Sequence, residues 1–142
     1  MRPIAVWCVA VAAAMGVWSC GPSEEDQVRQ TLERFGRAVA AKDSQRLCNE
    51  LLAHELVNNL AQAGVPCDVA VSRGLAGAQS PTLKVLKVKI RSDRLALAVV
   101  RTDAGNQQPS TDTFRMVKER GRWRVGSLTG GQPPASSPPG AP

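Results

Sequence analysis

The hydrophobic period of the chain changes once, at Thr82, and that change limits the folds open to it. Before it, Val28, Leu32, Phe35 and Val39 recur at intervals of four, three and four, one apolar stripe on a helix running to about Lys42. After it the period is two. In TLKVLKVKI, Leu86, Val88 and Ile90 share one face opposed by Lys87 and Lys89, the pattern of a strand buried on one side. Ser92-Asp93 turns the chain into RLALAVVR, which is apolar on both faces and so belongs inside a sheet. TDTFRMVKE and RWRVGSL make a closing pair joined at Arg120-Gly121, and DAGNQQPS before them reads as a polar loop. Helices followed by an antiparallel meander of about four strands predict an α+β fold, with the N-terminal helices packed on one face of the sheet.

Local signals divide the helical half. Ser23 followed by Asp26 has the spacing of a capping box, and Glu24, Glu25 and Asp26 suit the positive end of a helix dipole. Asp43 is an N-cap for a short second helix, SQRLCN. A third covers AHELVNNLAQA, with Leu56, Val57 and Leu60 inward and Gly64 as its stop, and PCDVAVSRGLAG adds a fourth short turn of helix.

The N-terminus carries a different message. Residues 4–18, IAVWCVAVAAAMGVW, contain no charge and follow a single Arg2, which is the layout of a secretory signal. The run falls short of the roughly 20 residues that span a bilayer comfortably. Its end, Val17-Trp18-Ser19-Cys20, resembles a bacterial lipobox: aliphatic, lax, small, then cysteine. The resemblance implies that Cys20 takes a diacylglyceryl thioether and becomes the first mature residue. Two acyl chains, palmitate among the usual ones, anchor stably where one does not. Against this stand an uncut anchor helix and ordinary cleavage after the alanines at 12–14. The expected organisation is a signal peptide over 1–19, a lipidated tether over 20–23, a domain over 24–128 and a tail over 129–142. Five of the ten prolines fall in the stretch GGQPPASSPPGAP, which reads as disordered. Such a chain is exported and held on the outer side of the bacterial cytoplasmic membrane.

Setting aside Cys8 and Cys20 leaves Cys48 and Cys67. In an oxidising compartment an isolated pair forms a bridge, the alternative being two buried thiols. One His and two Cys provide too few ligands for zinc. Charge is unevenly spread: residues 21–81 carry six Lys/Arg against eight Asp/Glu, and 82–128 carry eleven against four. A basic half suits anionic partners such as lipid headgroups or envelope polymers, or it is a solvated strand face. Nucleic acid is not expected, because there is no Tyr, only two Phe, and no aromatic interleaved with the Lys and Arg for base stacking.

The amphipathic first helix, Asp43 after it, Cys48 on the second helix, Cys67 after the third and the closing GRWRV with Trp123 together resemble small bacterial lipoproteins of the nuclear transport factor 2-like superfamily. The resemblance covers residues 24–128 and implies a cone, its curved sheet wrapping the helices around a pocket at the open end. This chain departs from the fuller pattern in having no evident strand between the early helices. Catalytic relatives, the ketosteroid-isomerase-like and polyketide-cyclase-like enzymes, use an Asp or His base and commonly a Tyr donor inside the cone.

Here Tyr is absent. His54-Glu55-Leu56-Val57-Asn58 opens like the zinc-protease helix but has Asn where the second His is required. The strand positions expected to face inward are apolar: Leu86, Val88, Ile90, Leu97, Val99, Met116, Trp123 and Val125. Of these, Leu86, Val88, Ile90, Met116, Trp123 and Val125 are the candidate pocket lining. The expectation is therefore a membrane-anchored lipoprotein whose domain binds a small apolar ligand or an envelope partner, with no cofactor and no catalysis. The alternatives are an isomerase or cyclase working through Asp43 or His54, and a purely structural interaction domain. The open sheet is also a candidate homodimer surface.

Overall fold

The computed structural model describes residues 21–129. The signal segment, Cys20 and the tail from residue 130 onward lie outside the described residues. Among those described, no helix is long and apolar enough to cross a membrane.

Helix α1, Glu24–Ala40, begins at the expected box: the Asp26 amide donates to the Ser23 hydroxyl at 3.1 Å, and the Ser23 amide donates to the Asp26 carboxylate. Its stripe buries Val28 and Leu32 completely, with Phe35 partly buried beside them. Asp43 caps α2, Ser44–Arg46, by accepting the Arg46 amide at 3.0 Å. That helix runs directly into a π-helical turn, Leu47–Leu51, whose wider winding still buries Leu47 and Leu51. Helix α3, His54–Gln62, stops at Gly64, which sits at φ 76°. Helix α4, Cys67–Ala76, is longer than the single turn expected. A disulfide joins Cys48 in the π turn to Cys67 at the start of α4, with Cα atoms 6.0 Å apart.

The strands β1 (Thr82–Ser92), β2 (Leu95–Ala104), β3 (Gln107–Glu119) and β4 (Arg122–Thr129) form a curved, unclosed antiparallel sheet in the order β1-β2-β3-β4. The helices precede it in sequence, so the α+β expectation holds. Between the helices there is only an isolated parallel bridge from Leu52 to Val125. DAGNQQPS is not a loop but the end of β2, a tight Gly105-Asn106 turn and the start of β3. Asn106 holds the turn down, accepting the Gln79 amide at 3.1 Å and donating to the Gly77 carbonyl at 2.7 Å. Pro109 fits there because the pairing skips beside it, between Thr102 and Ala104.

In two strands, β1 and β2, the inward-facing expectations fail for physical reasons. In β1 the pairing jumps between Val85 and Lys87, so Leu86 is a bulge residue and is 46% exposed. The jump shifts the alternation, and Leu83 and Val85 join Val88 against the core. Ile90 pairs with the buried Ala96 but lies beside the β1–β2 turn on the edge strand, and stays 36% exposed. In β2 the buried residues are Ala96, Ala98, Val100 and Ala104; Leu97 and Val99 take the opposite face, half-buried. Both faces of ALALAVV are apolar, so alternation could not choose between them. Register does: Ala98 pairs with Phe114 and Ala96 with Met116. The small alanines leave room for the α1 side chains, and Phe35 meets Phe114 edge to face with centroids 5.7 Å apart.

Candidate functional site

The sheet has two ends. At one, the chain enters α1 beside the turns β1–β2 and β3–β4. At the other, the β2–β3 turn and the 77–81 loop face the C-terminal half of α1, and a cleft opens between the helices and the sheet. One part, of about 230 Å³, is lined by Phe35, Val39, Leu47, Leu52, Val71, Gly74 and Leu75. A second part, of about 190 Å³, shares Phe35, Val39, Gly74 and Leu75 and continues past Leu83 and Phe114 to Asp103, Gln107, Gln108 and Ser110. An apolar chamber with a polar mouth results, the usual make-up of a small-molecule site.

Several local choices produce it. Gly36 lets α1 approach β1 closely: a Cβ there would lie 3.3 Å from that of Leu83. At Gly74 a Cβ would meet nothing within 4 Å, so the α4 wall is open there. The disulfide fixes the first residue of α4, a helix with no side-chain cap at its N-terminus.

The residues anticipated as pocket lining are placed elsewhere. Val88, Met116, Trp123 and Val125 are buried within the main core cluster, while Leu86 and Ile90 open to solvent. None of them lines either part of the cleft. Its walls come instead from α1, the π turn, α4 and the far ends of the strands. Phe35 and Val39 were legible as an apolar stripe, but nothing in the sequence separated stripe residues that fill the core from those that border the cleft.

The candidate acid–base residues are committed to the framework. Asp43 caps α2 and lies 3.9 Å from the Arg46 guanidinium. His54 is 55% exposed, with Nδ1 2.6 Å from Glu119 Oε2. Glu119 also accepts the His54 amide at 3.1 Å and so caps α3 from across the fold. Arg124 lies 3.5 Å from Glu119 and donates to the Asn49 and Leu52 carbonyls at 3.0 and 3.2 Å. This clasp ties the helices to β3 and β4. It was missed in the sequence because its helical side, Asn49 to His54, and its strand side, Glu119 and Arg124, lie 65 residues or more apart, although the absent cap at Ala53 was a hint.

A second clasp holds α1. Glu24 accepts from Lys118 Nζ at 2.7 Å and from the Trp123 indole at 2.8 Å. These bonds, that from Lys118 foremost, hold the Glu24 carboxyl below its ordinary pKa of 4.5. Among the described residues, no three His, Cys, Asp or Glu side chains are grouped to hold a metal.

Compared with protein-family models and with curated protein sequences, the chain matches none.

Proposed function

We propose that the chain is an exported lipoprotein of the nuclear transport factor 2-like kind. In this reading it is anchored through acyl chains on Cys20 at the outer side of the bacterial cytoplasmic membrane. Its domain binds a small apolar ligand, or an apolar group of an envelope partner, without catalysis. The observation that carries the binding role is the chamber around Phe35, whose apolar walls lead to a mouth bearing Asp103, Gln107 and Gln108. An apolar body in the chamber and a polar group at the mouth would both be satisfied. The non-catalytic part is supported by Asp43 and His54 serving as cap and clasp outside the cleft.

Pairing of two copies through the outer sheet face is disfavoured by charge. Lys84 pairs directly with Arg101, and Lys89, Leu97 and Arg115 form one cross-strand row. Two such faces would oppose like charges.

The test of the binding role uses Gly74→Leu, which puts a bulky side chain on the α4 wall where a Cβ itself meets nothing within 4 Å. The neutral fluorophore N-phenyl-1-naphthylamine should bind the wild-type protein and lose affinity at least tenfold in the variant, with far-UV circular dichroism unchanged. Equal binding by both would remove the cleft as the site. The anchor is tested separately: labelled fatty acid should enter the wild-type chain and not Cys20→Ser.

A further inference from the structure

The end of the domain where the chain enters is built of arginine. Arg91 is the penultimate residue of β1, Arg94 lies in the β1–β2 turn, Arg120 lies in the β3–β4 turn and Arg122 opens β4; all four are exposed. The two turns are neighbours, since the Lys118 amide donates to the Arg94 carbonyl at 3.0 Å. The start of α1 is bound beside them through Glu24, Lys118 and Trp123. Between the turns lies a recess of about 520 Å³ lined by Asp93, Arg94, Lys118, Glu119, Arg120 and Gly121.

Most carboxylates at this end are already engaged. Glu24 is held by Lys118 and Trp123, Glu25 pairs with Arg29 at 3.0 Å, and Asp26 is in the capping box. Glu119 faces His54 and Arg124, and Asp93 lies 4.0 Å from Arg94 with both side chains largely in solvent. Arg91, Arg120 and Arg122 form no ion pair among the described residues. Glu24 and Glu25, two of the three acidic residues that open α1, are thus paired with cations. Among the described residues, Arg91, Arg120 and Arg122 stand unpaired against Asp26, so this end is net positive.

We infer that this arginine-bearing end is a docking surface for anionic phospholipid headgroups. Its orientation rests on the proposed anchor at Cys20. The Pro22 carbonyl is pinned by the Gln27 side chain at 3.0 Å. Gly21, Pro22 and Ser23 therefore give a reach of no more than about 10 Å from the start of α1. That is comparable to the Debye length of about 8 Å at physiological salt, so arginines at this end feel the surface potential. Headgroup phosphates would meet Arg91, Arg120 and Arg122, with the recess between the turns able to admit one. The outer sheet face, with Lys84, Lys87 and Lys89, stands away from the bilayer in this orientation.

The test uses the chain from residue 20 onward with Cys20→Ser. It retains the whole core, since both buried clusters lie between Val28 and Val125. Co-sedimentation with vesicles containing phosphatidylglycerol should show binding that weakens as salt rises, with little binding to phosphatidylcholine alone. Each basic residue near an anionic surface contributes about fivefold. Arg91→Gln, Arg120→Asn and Arg122→Gln together should therefore cut binding by roughly a hundredfold. Lys84→Gln, Lys87→Gln and Lys89→Gln, the same change in net charge, should leave it much closer to the parent. Equal binding to both vesicle types, or a greater loss in the lysine variant, overturns the proposal. Because Cys20 is replaced, the outcome does not depend on acylation. A wild-type chain that takes no fatty acid while the variant still binds anionic vesicles would remove the anchor and keep the surface.

Discussion

Removing the disulfide should cost both stability and the cleft, in unequal measure. Cys48 and Cys67 are 19 positions apart, and closing a loop of that size removes unfolded-chain entropy equivalent to roughly 3 kcal/mol. With a urea m-value of about 1.5 kcal/mol per molar, the Cys48→Ala, Cys67→Ala variant should unfold roughly 2 M earlier. The reduced wild-type protein should match it, and the slope should not fall, because the unfolded chain is less constrained. The cleft should suffer first. Helix α4 has no side-chain cap at its N-terminus and buries only Cys67 fully, yet it supplies Val71, Gly74 and Leu75 to the chamber wall. Probe affinity should therefore drop in urea well below the unfolding midpoint in the variant, and near the midpoint in the wild type. Urea midpoints within about 0.5 M of each other, set against the roughly 3 kcal/mol expected, would refute the reasoning. So would two readily alkylated thiols in the unreduced protein.

Phe114→Ala should destabilise by about 3–5 kcal/mol, read by urea unfolding, since it empties the core centre and removes the edge-to-face partner of Phe35. Arg120→Asn should raise stability by about 1 kcal/mol: Arg120 and Gly121 both hold positive φ, at 49° and 76°, and Asn tolerates that conformation better than Arg. The Glu24 clasp predicts a pH dependence. The folded carboxyl titrates below 4.5, so its stabilisation is complete above the unfolded value and is lost as pH falls from there through the folded one. Glu24→Gln should be less stable than wild type at neutral pH, with the difference closing as the solution is acidified; a constant difference down to pH about 2 would contradict the assignment.

Some of this structure was determined locally, and the sequence displayed it. The capping box at Ser23 and Asp26, the Asp43 cap and the Gly64 stop depend on residues a few positions apart, so a short stretch is sufficient to specify them. The change of period at Thr82 was legible because helices and strands bury faces at different intervals, and from it the α+β class followed. Setting aside Cys8 and Cys20, as the N-terminal segment suggested, left two cysteines and so marked the bridge between Cys48 and Cys67. Tertiary structure decided the rest. The bulge at Leu86 and the choice of Ala96 and Ala98 over Leu97 and Val99 depend on pairing with neighbouring strands, which alternation along one strand cannot report. The cleft is shaped by Gly36, which lets α1 lie close on β1, and by Gly74, which leaves open space on the α4 wall, a difference between two glycines that only their surroundings reveal. The charge balance at the chain-entry end was set by contacts such as Glu24 with Lys118, across 94 positions. Electrostatic free energy depends on distance in space, and a folded chain sets that distance only when all of its elements are in place.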